Sequence, residues 1–202
     1  MKKLLVLSFF YVFCVVNLFA QSPMSILDKA ASKLKHDGGL SIEYTMNSEG
    51  GAESGFLEMM GKKFHSKMKD VETWYDGKNL WSYVVANNEV NLIKPKAAQL
   101  AKVNPYYFLG IYKKGYTLKN GSSNSSYYEV LMTADDSKSS IYKATIRIDK
   151  KTYALKYIKV TNAKNVWIEV KMKNYKKGLK FGAGTFAFSK SKYPKVEVID
   201  LR

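Results

Sequence analysis

The stretch LSIEYTMN at residues 40–47 decides the fold, because apolar and polar side chains alternate along it without a break. Successive side chains of a β-strand point to opposite faces of the sheet. A period of two therefore predicts a strand with one buried and one solvated face. The same alternation returns at residues 128–133, 142–148 and 166–173. Several strands of this kind indicate a sheet with one continuous apolar face.

Turn signals separate the predicted strands, as at Asp76-Gly77, Asn120-Gly121 and residues 162–164. Their short spacing is typical of successive antiparallel hairpins and not of βαβ units. We therefore expect a mainly β (α+β) protein built on a single antiparallel sheet. A sheet of this size tends to curl.

Two segments have helical character instead. Met24, Leu27, Ala31 and Leu34 recur at steps of three and four residues, which predicts an N-terminal helix that Ser22 or Ser25 caps and Asp37-Gly38-Gly39 ends. Residues 94–115 read KPKAAQLAKVNPYYFLGIYKKG, which predicts two short helices with a bend at Pro105. Since this segment interrupts a series of hairpins, its helices must cross one face of the sheet.

The N-terminus has the features of a secretion signal. Lys2 and Lys3 precede a short apolar run, residues 4–16, and Ala20 is a small residue suited to cleavage. We expect cleavage after Ala20, and a single domain over residues 21–202. The only cysteine, Cys14, would leave with the peptide, so the mature chain would have no disulfide and no thiol nucleophile.

The chain of 202 residues has a formal net charge of +16. In an exported protein this charge does not point to nucleic acid, and the lysines are spread along the chain. Two interpretations stay open: a solvated lysine-rich surface, or attraction to anionic membranes or acidic partners. We expect a monomer with no nucleic-acid partner.

No group of residues forms a convincing catalytic constellation. His36 and His65 lack the spacing of a metal pair and are expected on the surface, and Asp135-Asp136 is expected in a solvated loop. No glycine pattern for binding phosphate precedes a helix. We predict no enzyme activity, no metal and no cofactor, although an exported hydrolase acting on lipid or glycan stays open as a weaker hypothesis.

The inward positions of the predicted strands have many long, soft or aromatic side chains. Methionine in particular adapts to apolar ligands of varied shape. These residues either fill an ordinary core or line an acyl-binding cavity. The predicted cavity residues are Ile42, Tyr44, Met46, Leu57, Met59, Trp81, Tyr83, Val130, Met132, Ile146, Ile148, Ile168, Val170 and Met172. The predicted residues of a movable lid over the cavity are Leu100, Val103, Tyr107, Phe108 and Ile111.

The hairpin at residues 74–83 reads WYDGKNLWSY and continues into NEVN at residues 88–91. This hairpin and the C-terminal residues 185–202, with TFAF near their start and VIDLR at their end, resemble the LolA family of periplasmic lipoprotein carriers. The resemblance implies a half-open, unclosed β-barrel with an N-terminal helix and short lid helices. It also implies a periplasmic carrier of acylated lipoproteins or other lipids, with an inner-membrane releasing transporter and an outer-membrane receptor as partners.

One segment departs from the family pattern. Known members have an arginine, followed by proline, that fastens the barrel to the lid, whereas residues 60–64 here read MGKKF. Lys62 or Lys63 could supply the charge but not the planar, bidentate geometry of arginine. The departure leaves two hypotheses: a lipoprotein carrier, or a lipid- or glycolipid-binding and sensing module without hand-over.

Overall fold

The computed structural model describes residues 21–36, 38–104 and 106–202. The predicted signal peptide, the predicted bend at Pro105 and the surface position predicted for the His36 side chain lie outside this description. Within these residues the chain forms three helices, α1 (Pro23–His36), α2 (Ala97–Val103) and α3 (Phe108–Ile111). It also forms twelve strands: β1 (Gly39–Ser48), β2 (Gly51–Met60), β3 (Lys63–Lys67), β4 (Val71–Tyr75), β5 (Leu80–Val84), β6 (Glu89–Ile93), β7 (Tyr116–Asn120), β8 (Tyr127–Ala134), β9 (Lys143–Asp149), β10 (Leu155–Thr161), β11 (Trp167–Leu179) and β12 (Glu197–Asp200).

All twelve strands belong to one open sheet, in the order β12-β6-β5-β4-β3-β2-β1-β11-β10-β9-β8-β7. Every neighbouring pair is antiparallel except β12 and β6, which run parallel. The sheet is not closed, because β12 and β7 at its two edges are not paired with each other. The predicted fold class, a mainly β protein with a single open sheet and few helices, is confirmed.

The alternation of strand directions gives the sheet two distinct ends. The turns β1–β2, β3–β4, β5–β6 and β10–β11 lie at one end, which we call the mouth. The turns β2–β3, β4–β5 and β9–β10 lie at the other end, which we call the helical end because α1 packs there against Leu40 at the start of β1. Among the described residues, no helix has both the length and the apolar character needed to cross a bilayer.

Helix α1 begins as predicted but buries a slightly different stripe. The Ser22 hydroxyl accepts a hydrogen bond of 3.2 Å from the backbone N–H of Ser25, which supports the predicted cap. Ile26 and Ala30 are buried beside Leu27, whereas Met24, which the helical spacing placed inward, is exposed. The apolar stripe therefore keeps Leu27, Ala31 and Leu34 as predicted, gains Ile26 and Ala30, and loses Met24.

Helices α2 and α3 lie across the face of the sheet whose side chains point into the core. Leu100, Phe108 and Leu109 are buried in one cluster with Ile42 and Leu57. This face, which we call the inner face, is thus covered by all three helices at the helical end.

The opposite, outer face is covered in part by the chain between β11 and β12. Phe188 and Tyr193 pack edge-on against Trp74, with ring centroids 5.7 and 5.6 Å away. Phe186 and Val196 of the same segment are buried. Strands β4 to β6 therefore have apolar contacts on both faces.

Candidate functional site

Twelve of the fourteen predicted cavity residues lie on the inner face. Residues directly opposite each other on paired strands point to the same face of the sheet. Tyr44 lies opposite Met172, Met46 opposite Val170, and Val130 opposite Ile146, so the members of each pair share a face. The twelve residues are Ile42, Tyr44, Met46, Leu57, Met59, Val130, Met132, Ile146, Ile148, Ile168, Val170 and Met172.

Trp81 and Tyr83 are the two exceptions, and their predicted position was wrong. Leu57 lies opposite Ser66, Ser66 lies opposite Thr73, and Thr73 lies opposite Ser82. Ser82 is therefore on the same inner face as Leu57. Because side chains alternate, Trp81 and Tyr83 lie on the outer face. There the Tyr83 ring lies 5.3 Å from that of Tyr193 in the covering segment. Trp81 and Tyr83 are thus apolar because they pack in a second layer, between the outer face of the sheet and the segment that covers it.

The part of the inner face near the helical end is an ordinary core. Its central side chains are at most 1% exposed. They are Ile42, Leu57, Val130, Met132, Ile146 and Ile148. The predicted lid residues supply the opposing surface, since Leu100 and Phe108 are buried and Val103, Tyr107 and Ile111 are half-buried against the same cluster. The lid side chains therefore occupy the position that was predicted for a ligand.

The inner face is open at the mouth. Met46, Val160 and Val170 are only half-buried there, and Val71 and Ile168 are each 40% exposed. Val71 lies on β4 and Ile168 on β11, on opposite sides of the β1–β2 hairpin. The mouth thus exposes apolar side chains to solvent, with Glu53 on the same face opposite Met46, and it continues directly into the core beneath the helices.

Gly55 lets three neighbouring groups pack closely against strand β2 on the inner face near the mouth, a place that we call the floor of the mouth. A Cβ at Gly55 would overlap the Lys67 carbonyl oxygen and would lie 2.9 Å from Met68 and 3.1 Å from the Tyr44 ring. The Tyr44 hydroxyl is anchored by a 3.0 Å hydrogen bond with the Ser66 hydroxyl, and burial raises the pKa of Tyr44. Tyr44 and Met68 can lie this close to the strand only because residue 55 has no side chain.

The predicted lid segment is fastened to the sheet through Tyr107. Its hydroxyl donates a 2.6 Å hydrogen bond to the backbone carbonyl of Lys62 in the β2–β3 turn. Its ring packs against Phe64 and Tyr75, with centroids 5.9 and 6.0 Å away, and burial raises the pKa of the hydroxyl. The sequence singled out the side chains of Lys62 and Lys63 for this role, but the structure uses a main-chain oxygen.

Two further contacts hold the segment that follows the predicted lid residues. The Tyr112 hydroxyl donates a 2.7 Å hydrogen bond to Asp28 of α1, and Lys113 forms a 3.0 Å ion pair with the same carboxylate oxygen. These two hydrogen-bond donors lower the pKa of Asp28. Asn104 is fully buried between α2 and α3, and its side-chain oxygen accepts a hydrogen bond from the Tyr106 N–H.

A charged cluster lies on the outer face, where the sequence predicted only a surface histidine. His65 lies between two carboxylates, 3.2 Å from Glu58 and 2.8 Å from Glu72, and its ring stacks on Trp74. Only 14% of the His65 side chain is exposed, so the surface prediction was wrong. Glu72 also accepts hydrogen bonds from Lys67 and from Tyr193 of the covering segment. The cluster therefore joins β3 and β4 to the C-terminal part of the chain.

Glu72 is saturated by hydrogen bonds that hold it in the charged form. Within residues 21–36, 38–104 and 106–202, no three acidic, histidine or cysteine side chains come together as metal ligands would. The inner face, with its open mouth and closed core, is the stronger candidate for function.

Comparison with known proteins gives one family match. The family described as outer membrane lipoprotein carrier protein LolA matches residues 16–164, about three quarters of the chain. No curated protein matches the sequence.

Three solved structures resemble the fold. An uncharacterized conserved protein from Thermus thermophilus superposes with a TM-score of 0.64 at 11% identity, over 89% of this chain and 99% of that chain. A LolA superfamily protein from Nitrosomonas europaea gives 0.47 at 10% identity, over 84% and 99% of the two chains. The MucA/MucB complex of Pseudomonas aeruginosa gives 0.48 at 11% identity, over 83% and 61%. At 11% identity the first likeness shows the fold alone.

Proposed function

Because the chain belongs to the LolA family of outer membrane lipoprotein carrier proteins, we propose that it is a non-enzymatic periplasmic carrier of lipoprotein acyl chains. In this proposal a chain enters at the mouth, extends along the inner face as the lid helices move, and is later handed to an outer-membrane receptor. An inner-membrane transporter would supply the cargo. Residues 1–20 would be the signal that exports the protein.

The observation that best supports the proposal is the open mouth itself. Ile168 exposes apolar surface beside the half-buried Val170 and Met46, and Val71 exposes apolar surface on the same inner face, three strands away from Met46. A soluble domain normally covers such a surface unless a ligand or partner uses it. Burying an acyl chain gains about 0.8 kcal/mol per methylene, so several methylenes in the mouth would offset the movement of the lid.

A matched pair of variants tests where cargo binds. Ile168 and Leu131 are 40% and 39% exposed, but Ile168 lies on the inner face and Leu131 on the outer face. We expect Ile168→Asp to weaken binding of a fluorescent triacylated peptide at least tenfold, because a charge would lie against the bound chain. Leu131→Asp should leave binding unchanged. Equal affinities in the two variants, both folded by circular dichroism, would exclude the mouth as the binding site.

The second candidate is a lipid- or glycolipid-binding or sensing module that does not hand over its ligand. The contact between Tyr107 and the Lys62 carbonyl favours it, because this link differs from the arginine latch that the family resemblance implied. Mass spectrometry of material that co-purifies with the protein separates the two candidates. Triacylated lipoprotein supports the carrier, and free lipid or glycolipid supports the sensing module.

A further inference from the structure

A row of uncharged polar side chains crosses the inner face between the mouth and the predicted lid. Its members lie opposite one another on β3, β4, β5 and β6, and they are Ser66, Thr73, Ser82 and Asn91. Leu57 on β2 lies opposite Ser66, so the row belongs to the inner face. Neighbouring strands lie about 4.8 Å apart, so these four residues, which we call the polar row, extend over about 14 Å.

The rows on either side are apolar. Toward the helical end, Phe64 and Tyr75 lie opposite each other and are buried against the Tyr107 ring of the predicted lid. Toward the mouth, Val71 lies opposite Val84. A ligand on the polar row would therefore have apolar surface along both sides.

Three members of the polar row have polar groups without a partner. Within residues 21–36, 38–104 and 106–202, the side chains of Thr73, Ser82 and Asn91 make no hydrogen bond. The Ser66 hydroxyl, in contrast, pairs with that of Tyr44.

Thr73 is the most informative of the three, because its side chain is only 5% exposed. In the described part of the chain, every side-chain nitrogen or oxygen that is sealed from solvent has a hydrogen-bond partner. The unpaired Thr73 hydroxyl must therefore reach the open space above the sheet. A nearly buried hydroxyl in this state gains from a ligand that accepts its hydrogen bond.

The charges around the polar row select against an anion. Glu53, Glu89 and Glu197 lie on the inner face toward the mouth, and the adjacent β3–β4 turn has one charge of each sign, Lys69 and Asp70. A phosphate or a free carboxylate on the row would face these three carboxylates, and the row itself has no cation to balance them. Hydroxyl and amide donors instead suit carbonyl oxygens, which accept hydrogen bonds without carrying a charge.

We propose that Thr73, Ser82 and Asn91 form a polar subsite for the ester-linked glyceryl group of an acyl lipid. The inference rests on the acyl-binding function proposed above and names the part of the ligand that the chain recognises. Two ester carbonyls on neighbouring glyceryl carbons would each accept a hydrogen bond from a different strand of the row. A sugar suits the subsite less, because its many hydroxyls would lose water against the apolar rows on both sides.

The subsite lies beside the surface that would take the acyl tails. The 3.0 Å contact between the Tyr44 and Ser66 hydroxyls joins β1 to β3 on the inner face. On the other side of β1 lie Val170 and Ile168 of β11, which belong to the open mouth. Tails that leave the polar row across Tyr44 would thus reach the mouth. The diacylglyceryl group of a lipoprotein and that of a free glycerolipid share this chemistry, so both are sources of the ligand.

The test compares two ligands that differ only in the proposed hydrogen-bond acceptors. Dioctanoylglycerol has two ester carbonyls, and its diether analogue dioctylglycerol has a methylene in place of each. Binding is measured by displacement of a fluorescent probe with an unbranched hydrocarbon chain. We expect the parent protein to bind the ester about tenfold more tightly, although the diether is the more apolar of the two.

Two double variants locate the effect on the sheet. Thr73→Val/Ser82→Ala removes two hydroxyls from paired residues of the inner face, and Thr45→Val/Ser54→Ala removes two hydroxyls from paired residues of the outer face. We expect the first variant to lose the preference for the ester and to keep the parental affinity for the diether. The second should bind both ligands as the parent does. Circular dichroism confirms that both variants are folded.

A cysteine peptide that carries a dioctanoylglyceryl thioether distinguishes the two sources of the ligand. Tighter binding of this peptide than of dioctanoylglycerol, with the same loss in Thr73→Val/Ser82→Ala, identifies a lipoprotein. Equal binding of the two, with that loss, identifies a free glycerolipid.

The polar subsite is overturned if the parent binds both ligands equally or the diether more tightly, or if Thr73→Val/Ser82→Ala keeps the preference. Acyl binding at the inner face would survive that result, because both ligands bind. If neither ligand binds the parent, the proposed function fails and the subsite fails with it.

Discussion

The hydroxyl of Tyr107 lies 2.6 Å from the backbone carbonyl oxygen of Lys62, and this contact joins the lid to the β2–β3 turn. A carbonyl acceptor does not depend on which side chain occupies the turn. The link therefore tolerates the sequence MGKKF at residues 60–64, where the family resemblance implied an arginine and a proline. It also has no charge, so salt should affect it little.

Replacing this hydroxyl should loosen the lid without unpacking it. Tyr107→Phe keeps the ring against Phe64 and Tyr75 but removes one hydrogen bond, at a cost of about 1 kcal/mol. We expect faster amide hydrogen exchange over residues 97–112 while exchange in β8 to β11 stays unchanged. Tyr83→Phe is the control, since it removes a hydroxyl contact with Asn88 on the outer face. Parental exchange in Tyr107→Phe would show that the lid is held by packing alone.

The floor of the mouth should not accept a side chain at position 55. Gly55→Ala would force Tyr44, Met68 or the Lys67 carbonyl to move, and we expect it to reduce the free energy of unfolding by about 1–3 kcal/mol. Gly110→Ala in α3 is the control, because a Cβ there meets no atom within 4 Å and alanine favours the helix. Urea unfolding measures both. Equal stability of the two variants would mean that the floor is more adaptable than the described geometry.

Acid should weaken the charged cluster on the outer face. Burial by itself would raise the pKa of Glu72, but hydrogen bonds from His65, Lys67 and Tyr193 outweigh it and lower the pKa from 4.5 to about 2. A carboxylate with a lowered pKa stabilises the fold above its ordinary pKa, and this stabilisation is lost as the pH falls from about 4.5 toward 2.

Glu72→Gln should therefore cost about 2 kcal/mol at pH 7, and less as the pH approaches 2, in urea unfolding. Glu49→Gln in the exposed β1–β2 turn should be close to neutral throughout. A constant difference between parent and Glu72→Gln across this pH range would show that the charge of Glu72 contributes no stability.

Tryptophan fluorescence should report which face the cargo uses. All three tryptophans belong to the outer side: Trp74 and Trp81 by register, and Trp167 because it precedes the inward Ile168 and lies under Lys159. A brominated acyl chain at the mouth should leave their emission nearly unchanged. In a Val170→Trp variant the same chain should quench the new tryptophan. Strong quenching in the parent would place the chain on the outer face.

Alternation along β1, β8, β9 and β11 was enough to predict the sheet and its inner face. It failed at residues 80–84, which read LWSYV, because a strand covered on both faces has apolar residues at both parities. The covering layer comes from residues 186–196, and nothing local in the sequence links Phe188 and Tyr193 to Trp74. A signal was nevertheless present, since Phe186 and Phe188 repeat at the spacing of a half-buried segment.

The helices, too, could be predicted from the sequence only in part. Their existence followed from composition, and crossing one face of the sheet followed from their place between hairpins. The bond between Tyr107 and Lys62 could not be predicted, because a main-chain acceptor leaves no trace in residue type. The position of His65 between Glu58 and Glu72 depends on strand register, which a short polar stretch specifies weakly.

The side chains of the predicted lid already fill the inner face, so they compete with any incoming acyl tail for the same surface. Phe108, Leu109 and Tyr112 already remove this surface from water, so a guest gains only the difference between its own burial and theirs. On the carrier proposal, short tails would remain at the entrance while long ones displace the occupants. Selection by tail length would then arise from the folded chain alone, with no pocket shaped to measure it.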